Sequence, residues 1–239
     1  MNANFLRNTQ ISTIATSPKQ RSGRWGDREQ SILDAAWELI TTKGFNGMTM
    51  ADVAVATGLS EGSLYNYVPS KRELAIRVAE RWFSAQAEEL GQTLSAIDHP
   101  RDQITLLVQR HIAMILEQPE LFLMWIREVR ATDAYLTSSS RDIFRSYTGL
   151  LRTVLGKGQA TGAINTDMSD DMVRDMIYGG AEHVAWTAIV QKRASTLDTT
   201  DAAKKLGRTY WRALKAHATS EDSTDERLAR IEAKLDQLS

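Results

Sequence analysis

Residues 48–74 read M-T-M-A-D-V-A-V-A-T-G-L-S-E-G-S-L-Y-N-Y-V-P-S-K-R-E-L, and three helix starts follow one another within that stretch. Thr49 is placed to cap a short helix, with Asp52 in the first turn, where the positive end of the helix dipole favours an acid. Gly58 ends it, because glycine tolerates the left-handed backbone of a tight turn. Ser60 caps a second short helix through Gly62, Ser63, Leu64 and Tyr65. Val68-Pro69 stops it, since a residue before proline disfavours helical geometry. Ser70 and Glu73 make the S-x-x-E pattern of a capping box and open a third helix at Lys71. Two short helices joined by a glycine-containing turn, over 49–68, describe a helix-turn-helix, whose second helix can enter a DNA major groove.

Immediately upstream, Ile32, Ala35, Ala36, Leu39 and Ile40 follow i, i+3, i+4 spacing, which predicts an amphipathic helix over 27–43. Gly44 is its expected C-terminal cap, with Phe45 packing back on the bundle. Val53, Ala54, Leu59 and Leu64 are expected to form the small core between the motif's helices. The exposed faces are then Thr49, Ser60, Glu61, Gly62, Ser63, Tyr65, Asn66, Tyr67 and Lys71. Thr49 and Lys71, at helix starts, suit phosphate oxygens. Tyr65 and Tyr67 offer a ring for the sugar and a hydroxyl for phosphate. Glu61, Ser63 and Asn66 are the candidates for base edges, asparagine being able to pair bidentately with adenine. Gly62 permits close approach of the helix backbone, and Ser60 caps.

G-L-S-E-G-S-L-Y-N-Y-V-P-S-K-R-E-L, preceded by T-M-A-D-V-A, resembles the DNA-binding segment of the TetR/AcrR family of transcriptional regulators. Farther upstream, I-L-D-A-A-W-E-L-I-T-T-K-G-F is similar to that family's first helix. The resemblance covers roughly residues 27–86. Val68 departs from it, standing where the family more often has an aromatic residue. The resemblance implies phosphate contacts at the tyrosines and at Lys71. It also implies a connector helix, a dimerisation pair near the C-terminus, and a hydrophobic cavity whose small-molecule ligand changes the separation of two reading heads.

Composition narrows the remaining possibilities. The chain has 239 residues, enough for one large or two small domains with a core, and ordinary apolar and charged fractions. No run approaches a membrane span and no secretory leader is evident, so a cytoplasmic protein is expected. The absence of cysteine excludes disulfides, a cysteine zinc site and thiol catalysis. His99, His111, His183 and His217 show no metal-ligand spacing, and no metal or cofactor is expected. Abundant Ala, Leu, Glu and Arg with few Pro and Gly favour an all-α fold. Net charge is −1, so DNA affinity has to come from local placement of charge. Within residues 27–83 acids even outnumber bases.

The chain divides into four segments. Residues 1–26 carry Arg7, Lys19, Arg21 and Arg24 without an acid before Asp27; the plainer reading is a flexible leader, the functional one a basic arm beside the motif, and both can hold at once. Residues 27–86 hold the helix-turn-helix domain, and one helix is expected from Ser70 to about Ala96. Residues 87–218 form a helical regulatory and dimerisation domain, with helices expected over 103–116, 120–132, 141–155, 169–190 and 200–217. The last two are the expected dimerisation pair, and Gly179, Gly180, Ala181 and Ala185 would let helices approach closely. Residues 219–239 are a polar break followed by Leu228, Ile231, Leu235 and Leu238 at heptad spacing, about two heptads long.

The expected fold is therefore all-α, an N-terminal three-helix reading head followed by a larger sensing domain. The expected function is a homodimeric repressor on a palindromic double-stranded operator, released by a small apolar or fatty-acid-like effector. Candidate lining residues are Trp82, Phe83, His111, Phe122, Trp125, Arg130, Phe144, Tyr147, Tyr178, His183 and Trp186, with Arg130 and His183 suited to a polar end group. Two alternatives are weaker. A ligand-independent architectural DNA binder leaves most of the chain without a task. A helical enzyme lacks a nucleophile, metal or cofactor signature.

Overall fold

A computed structural model describes residues 23–215. Most of the expected basic arm (1–22) and the C-terminal heptads lie outside the described residues. The chain is helical from end to end of that range: α1 (Gly23–Gly47), α2 (Met50–Thr57), α3 (Glu61–Tyr65), α4 (Lys71–Ser95), α5 (Pro100–Glu117) and α6 (Pro119–Trp125) come first. A π-helical turn (Ile126–Arg130) and a 3-10 turn (Asp133–Thr137) follow, then α7 (Ser139–Thr148), α8 (Leu150–Ala160), α9 (Asp170–Val190) and α10 (Thr199–Leu214). Among the described residues the β pairing is limited to an isolated bridge between Ile164 and Lys215.

Local chemistry accounts for the boundaries in the head. Thr49 and Asp52 form a complete reciprocal cap: the Asp52 amide donates to Thr49 Oγ1 at 3.0 Å and the Thr49 amide to Asp52 Oδ2 at 3.0 Å. Hydrogen bonds from Thr49 hold the Asp52 carboxyl below its usual range. Gly58 ends α2 at φ 65, ψ 29, the left-handed geometry required of this turn. At α4 the expected capping box is only half made. Ser70 Oγ accepts from the Glu73 amide at 3.0 Å, but the Glu73 carboxylate accepts from Arg77 Nε at 3.1 Å instead of closing back on Ser70. An arginine one turn ahead outcompetes a backbone amide for the carboxylate. Val53, Ala54, Leu64 and Val68 are buried between α1, α2, α3 and α4, and Leu59 is half-buried beside them.

Two expectations need correction. The single helix over 141–155 is two helices broken at Gly149, and the second runs on through the G-K-G-Q-A segment to Ala160. Leu151, Val154, Leu155 and Gly158 keep one buried face across those glycines, so tertiary packing overrides their weak helix propensity. The expected helix over 120–132 leaves α geometry after Trp125. The Ala131 amide bonds to Ile126 O at 3.0 Å, five residues back, which defines the π turn.

α4 is shared by both parts of the molecule. It runs unbroken through residue 86, where the sequence suggests a domain boundary, and packs against α1 near its start and against α7 farther along. Buried Gln103 donates to Leu94 O at 3.0 Å and Ile97 O at 2.7 Å, satisfying carbonyls at the end of α4. α5 lies at the centre of the larger domain, against α8, α9 and α10. Gly180 of α9 makes a close approach possible: a β-carbon there would stand 2.1 Å from the Tyr210 hydroxyl of α10, which donates to Met176 O at 3.3 Å.

This packing sets two stability expectations. Ser70→Ala should lower unfolding free energy in denaturant titration by about 1 kcal/mol through loss of the α4 cap. Gly180→Ala should cost roughly 1–3 kcal/mol by overpacking, and Tyr210→Phe in the same chain should recover part of it because the clashing oxygen is gone.

Candidate nucleic-acid interface and sensor core

The reading helix α3 is a single turn and a half held from both sides. Ser60 Oγ accepts from the Ser63 amide at 3.1 Å and lies 2.8 Å from the Ser63 hydroxyl. Leu64 is fully buried beneath it. That leaves Thr49, Ser60, Glu61, Gly62, Tyr65 and Asn66 exposed on one side, with open space in front of Gly62. Ser63, Tyr67 and Lys71 are only half-exposed, contrary to expectation. The Ser63 hydroxyl is occupied by Ser60. The Tyr67 ring stacks on Trp25 at 4.2 Å, and α1 accordingly starts at Gly23, inside the segment expected to be a flexible arm. Lys71 Nζ sits 4.6 Å over the Phe45 ring and donates to Asn46 O at 3.3 Å. Sequence reasoning missed Val55, which is 82% exposed on α2 because it falls off the face that buries Met50, Val53, Ala54 and Thr57.

The basic residues of the head are largely engaged within the protein. Arg77 pairs with Glu29 at 3.1 Å and with Glu73 at 3.1 Å, Arg81 with Asp34 at 2.8 Å, and Lys43 with Asp52 at 3.5 Å. Arg72 donates to Glu128 O in the π turn and lies 3.9 Å from its carboxylate. Much of the head's positive charge therefore braces the fold.

In the larger domain, Trp82, Phe83, His111, Phe122, Trp125, Tyr147 and Tyr178 are buried, as their candidacy for a lining requires. Most of them meet around Phe83, whose ring centre lies 4.8 Å from Trp82, 4.8 Å from Trp125, 5.2 Å from Phe144 and 6.0 Å from Tyr147. His111 continues the cluster, 4.8 Å from Tyr178 and 5.7 Å from Tyr147. His183 and Trp186 do not join it. They are exposed on α9, because the 3.6-residue period turns Tyr178, Ala181 and Ala185 inward in their place.

A polar chain runs through these rings. His111 Nδ1 lies 3.1 Å from the Tyr147 hydroxyl, and His111 Nε2 lies 3.7 Å from Glu182 Oε1, beyond hydrogen-bond reach. Both Glu182 oxygens accept from one nitrogen of Arg130, at 2.8 and 2.9 Å. Burial pushes the Glu182 carboxyl up, but the nearby His111 ring and the charge and hydrogen bonds of Arg130 outweigh it and hold it below the usual range. Burial also raises the Tyr147 and Tyr178 hydroxyls, so both remain protonated. The Tyr178 hydroxyl, Trp125 Nε1 and His111 Nε2 are buried without hydrogen-bond partners. Glu182 itself escapes a reading of the sequence, where an acid on a helix passes for a solvated face.

Known proteins match both parts of the chain. Residues 32–78 match the model for bacterial regulatory proteins of the tetR family, and residues 80–206 match the model for the C-terminal region of YsiA-like proteins. The fatty acid metabolism regulator protein of Bacillus subtilis is 21% identical over 159 residues, covering 66% of this chain and 82% of that protein. The transcriptional repressor DhaR of a Mycobacterium is 21% identical over 173 residues, covering 71% and 86%. Among solved structures, FadR from Bacillus subtilis in complex with stearoyl-CoA superposes with a TM-score of 0.66 at 19% identity, over 79% of this chain and 99% of that one. A regulator from Saccharomonospora viridis in complex with choline gives 0.66 at 16% identity, over 80% and 100%. With a reading head and a sensor body both matched in the expected order, the chain belongs to the tetR family of bacterial regulatory proteins and is a DNA-binding transcriptional regulator, not an enzyme.

Proposed function

We propose that this regulator is a homodimeric repressor of a palindromic operator, released when an acyl effector enters the aromatic core of the larger domain. One observation carries the reading: the DNA-reading head and the aromatic cluster are built on the same helix, α4, through Leu74 and Val78 at one end and Trp82 and Phe83 farther along. The acyl class is supported by the likeness to a fatty acid metabolism regulator over most of that protein's length.

On DNA, Asn66 and Glu61 meet base edges, Thr49 and Tyr65 meet phosphate, and Val55 supplies an apolar contact to a thymine methyl or to sugar. Lys71 and Tyr67 mainly orient the head, through Phe45 and Trp25. Dimerisation uses the outer face of α9, where Met172 (59%), Trp186 (44%) and Val190 (59%) are exposed at helical spacing, together with α10. The effector's signal passes through the π turn, which holds Arg72 at the start of α4 by Glu128 and the half-buried Glu182 by Arg130. An effector that displaces this turn changes where α4 holds the head.

Selection of bound sequences from random duplex DNA at near-physiological salt should enrich a palindrome; a single unpaired half-site would refute the dimeric reading. On that operator, Asn66→Ala should flatten discrimination among base variants by about 1–3 kcal/mol, whereas Tyr65→Phe should weaken all variants alike, as read by fluorescence anisotropy. Trp186→Arg with Val190→Arg should give monomers in sedimentation equilibrium while leaving the helical circular dichroism intact. Palmitoyl-CoA should lower operator affinity by roughly 5- to 150-fold, the usual span of allosteric coupling.

A further inference from the structure

The aromatic core, read as the effector site proposed above, carries chemical information about the polar end of its ligand. His111 is fully buried and Tyr178 is 4% exposed, yet His111 Nε2 and the Tyr178 hydroxyl have no hydrogen-bond partner. Buried polar groups are nearly always paired, so two such atoms in one ring cluster mark a place built for a third group.

Both atoms are donors. Glu182 Oε1, 3.7 Å from His111 Nε2, favours a proton on that nitrogen, and the Tyr147 hydroxyl, 3.1 Å away, then donates to Nδ1. Tyr178 stays protonated through burial. It stands one helical turn before Glu182 on α9, so the two side chains share a face, and its ring lies edge-on to His111 at 4.8 Å. A ligand atom that satisfies these donors is a hydrogen-bond acceptor.

The acceptor's charge is set by Glu182. Arg130 binds both of its oxygens, so the arginine's charge is already neutralised and the carboxylate is ionised. A second carboxylate placed at His111 would face a like charge across a poorly solvated site whose arginine is already committed. A neutral carbonyl meets the same donors without that repulsion. We propose that the effector enters as a neutral carbonyl compound, a thioester, ester or amide, whose oxygen accepts from His111 Nε2 and the Tyr178 hydroxyl, while Glu182 turns away the corresponding free carboxylic acid. The regulator would then respond to activated acyl groups and ignore the unactivated acid. This rests on the acyl reading of the core.

The test is direct binding to the full chain, read by quenching of tryptophan fluorescence, with decanoyl and palmitoyl N-acetylcysteamine thioesters against decanoate and palmitate. These thioesters lack the phosphates of coenzyme A, so the end group alone is compared. The wild-type chain should prefer thioester to acid by about tenfold or more, the scale of one close like-charge contact. Glu182→Gln should remove that preference by admitting the acid to an uncovered Arg130. Tyr178→Phe should weaken the thioester about fivefold or more, as loss of one buried hydrogen bond does, with the acid little changed. Because Tyr178→Phe removes a donor and leaves the Glu182–Arg130 pair in place, it tests the idea even if Glu182→Gln fails to fold. Equal wild-type binding of acid and thioester, or a preference that survives Glu182→Gln, would overturn this inference and leave the acyl reading standing. Binding of neither ligand would overturn the acyl reading and this inference with it.

Discussion

Phe83 on α4 is in contact with rings from two other helices, Trp125 of α6 and Phe144 and Tyr147 of α7. Because α4 also anchors the reading head through Leu74, Ala75 and Val78, the position of the head follows from how this ring cluster packs. Close-packed interiors switch between discrete arrangements rather than deforming smoothly. Under the proposed function, a ligand entering among the rings would repack α6 and α7 against α4, and the 25-residue helix would carry that displacement to the head. Arg77 and Arg81 of α4 pair with Glu29 and Asp34 of α1, which ties the two helices together within the head. The same pairs withdraw positive charge from the DNA, which makes sequence readout matter more than bulk attraction.

The core of the larger domain departs from a purely apolar design at one place. His111, Tyr147, Tyr178 and Glu182 bring polar atoms into a cluster otherwise made of hydrocarbon and rings. An apolar substitute for each would give a better-satisfied fold, so their presence fits a site under selection for ligand chemistry more than for stability.

The head is legible in the sequence because its signals are local. Thr49, Gly58, Ser60 and Pro69 fix backbone geometry within a few residues, and each element lies where they place it. What escapes depends on contacts between distant segments. Glu73 turns to Arg77, and Tyr67 is covered by a tryptophan 42 positions earlier. Among the effector candidates, burial of Phe83, Trp125, Tyr147 and Tyr178 follows from aromatic content on amphipathic helices. Choosing between Tyr178 and Trp186 requires the rotational setting of α9, which its small residues leave weakly marked. Arg130 stands out by its charge, but its partner Glu182 lies 52 residues away and nothing in the spacing links them.

The π turn at Ile126–Arg130 carries two contacts to other elements, Glu128 to Arg72 of α4 and Arg130 to Glu182 of α9. A π turn holds one residue more than the α turn it replaces, and in an α-helix each residue advances the side chains by about 100°. Deleting one residue here would restore regular winding and turn Arg130, at the end of the π turn, by about that angle, parting it from Glu182. The one extra residue thus sets which way Arg130 faces, and with it whether α9 is tied to the end of α6.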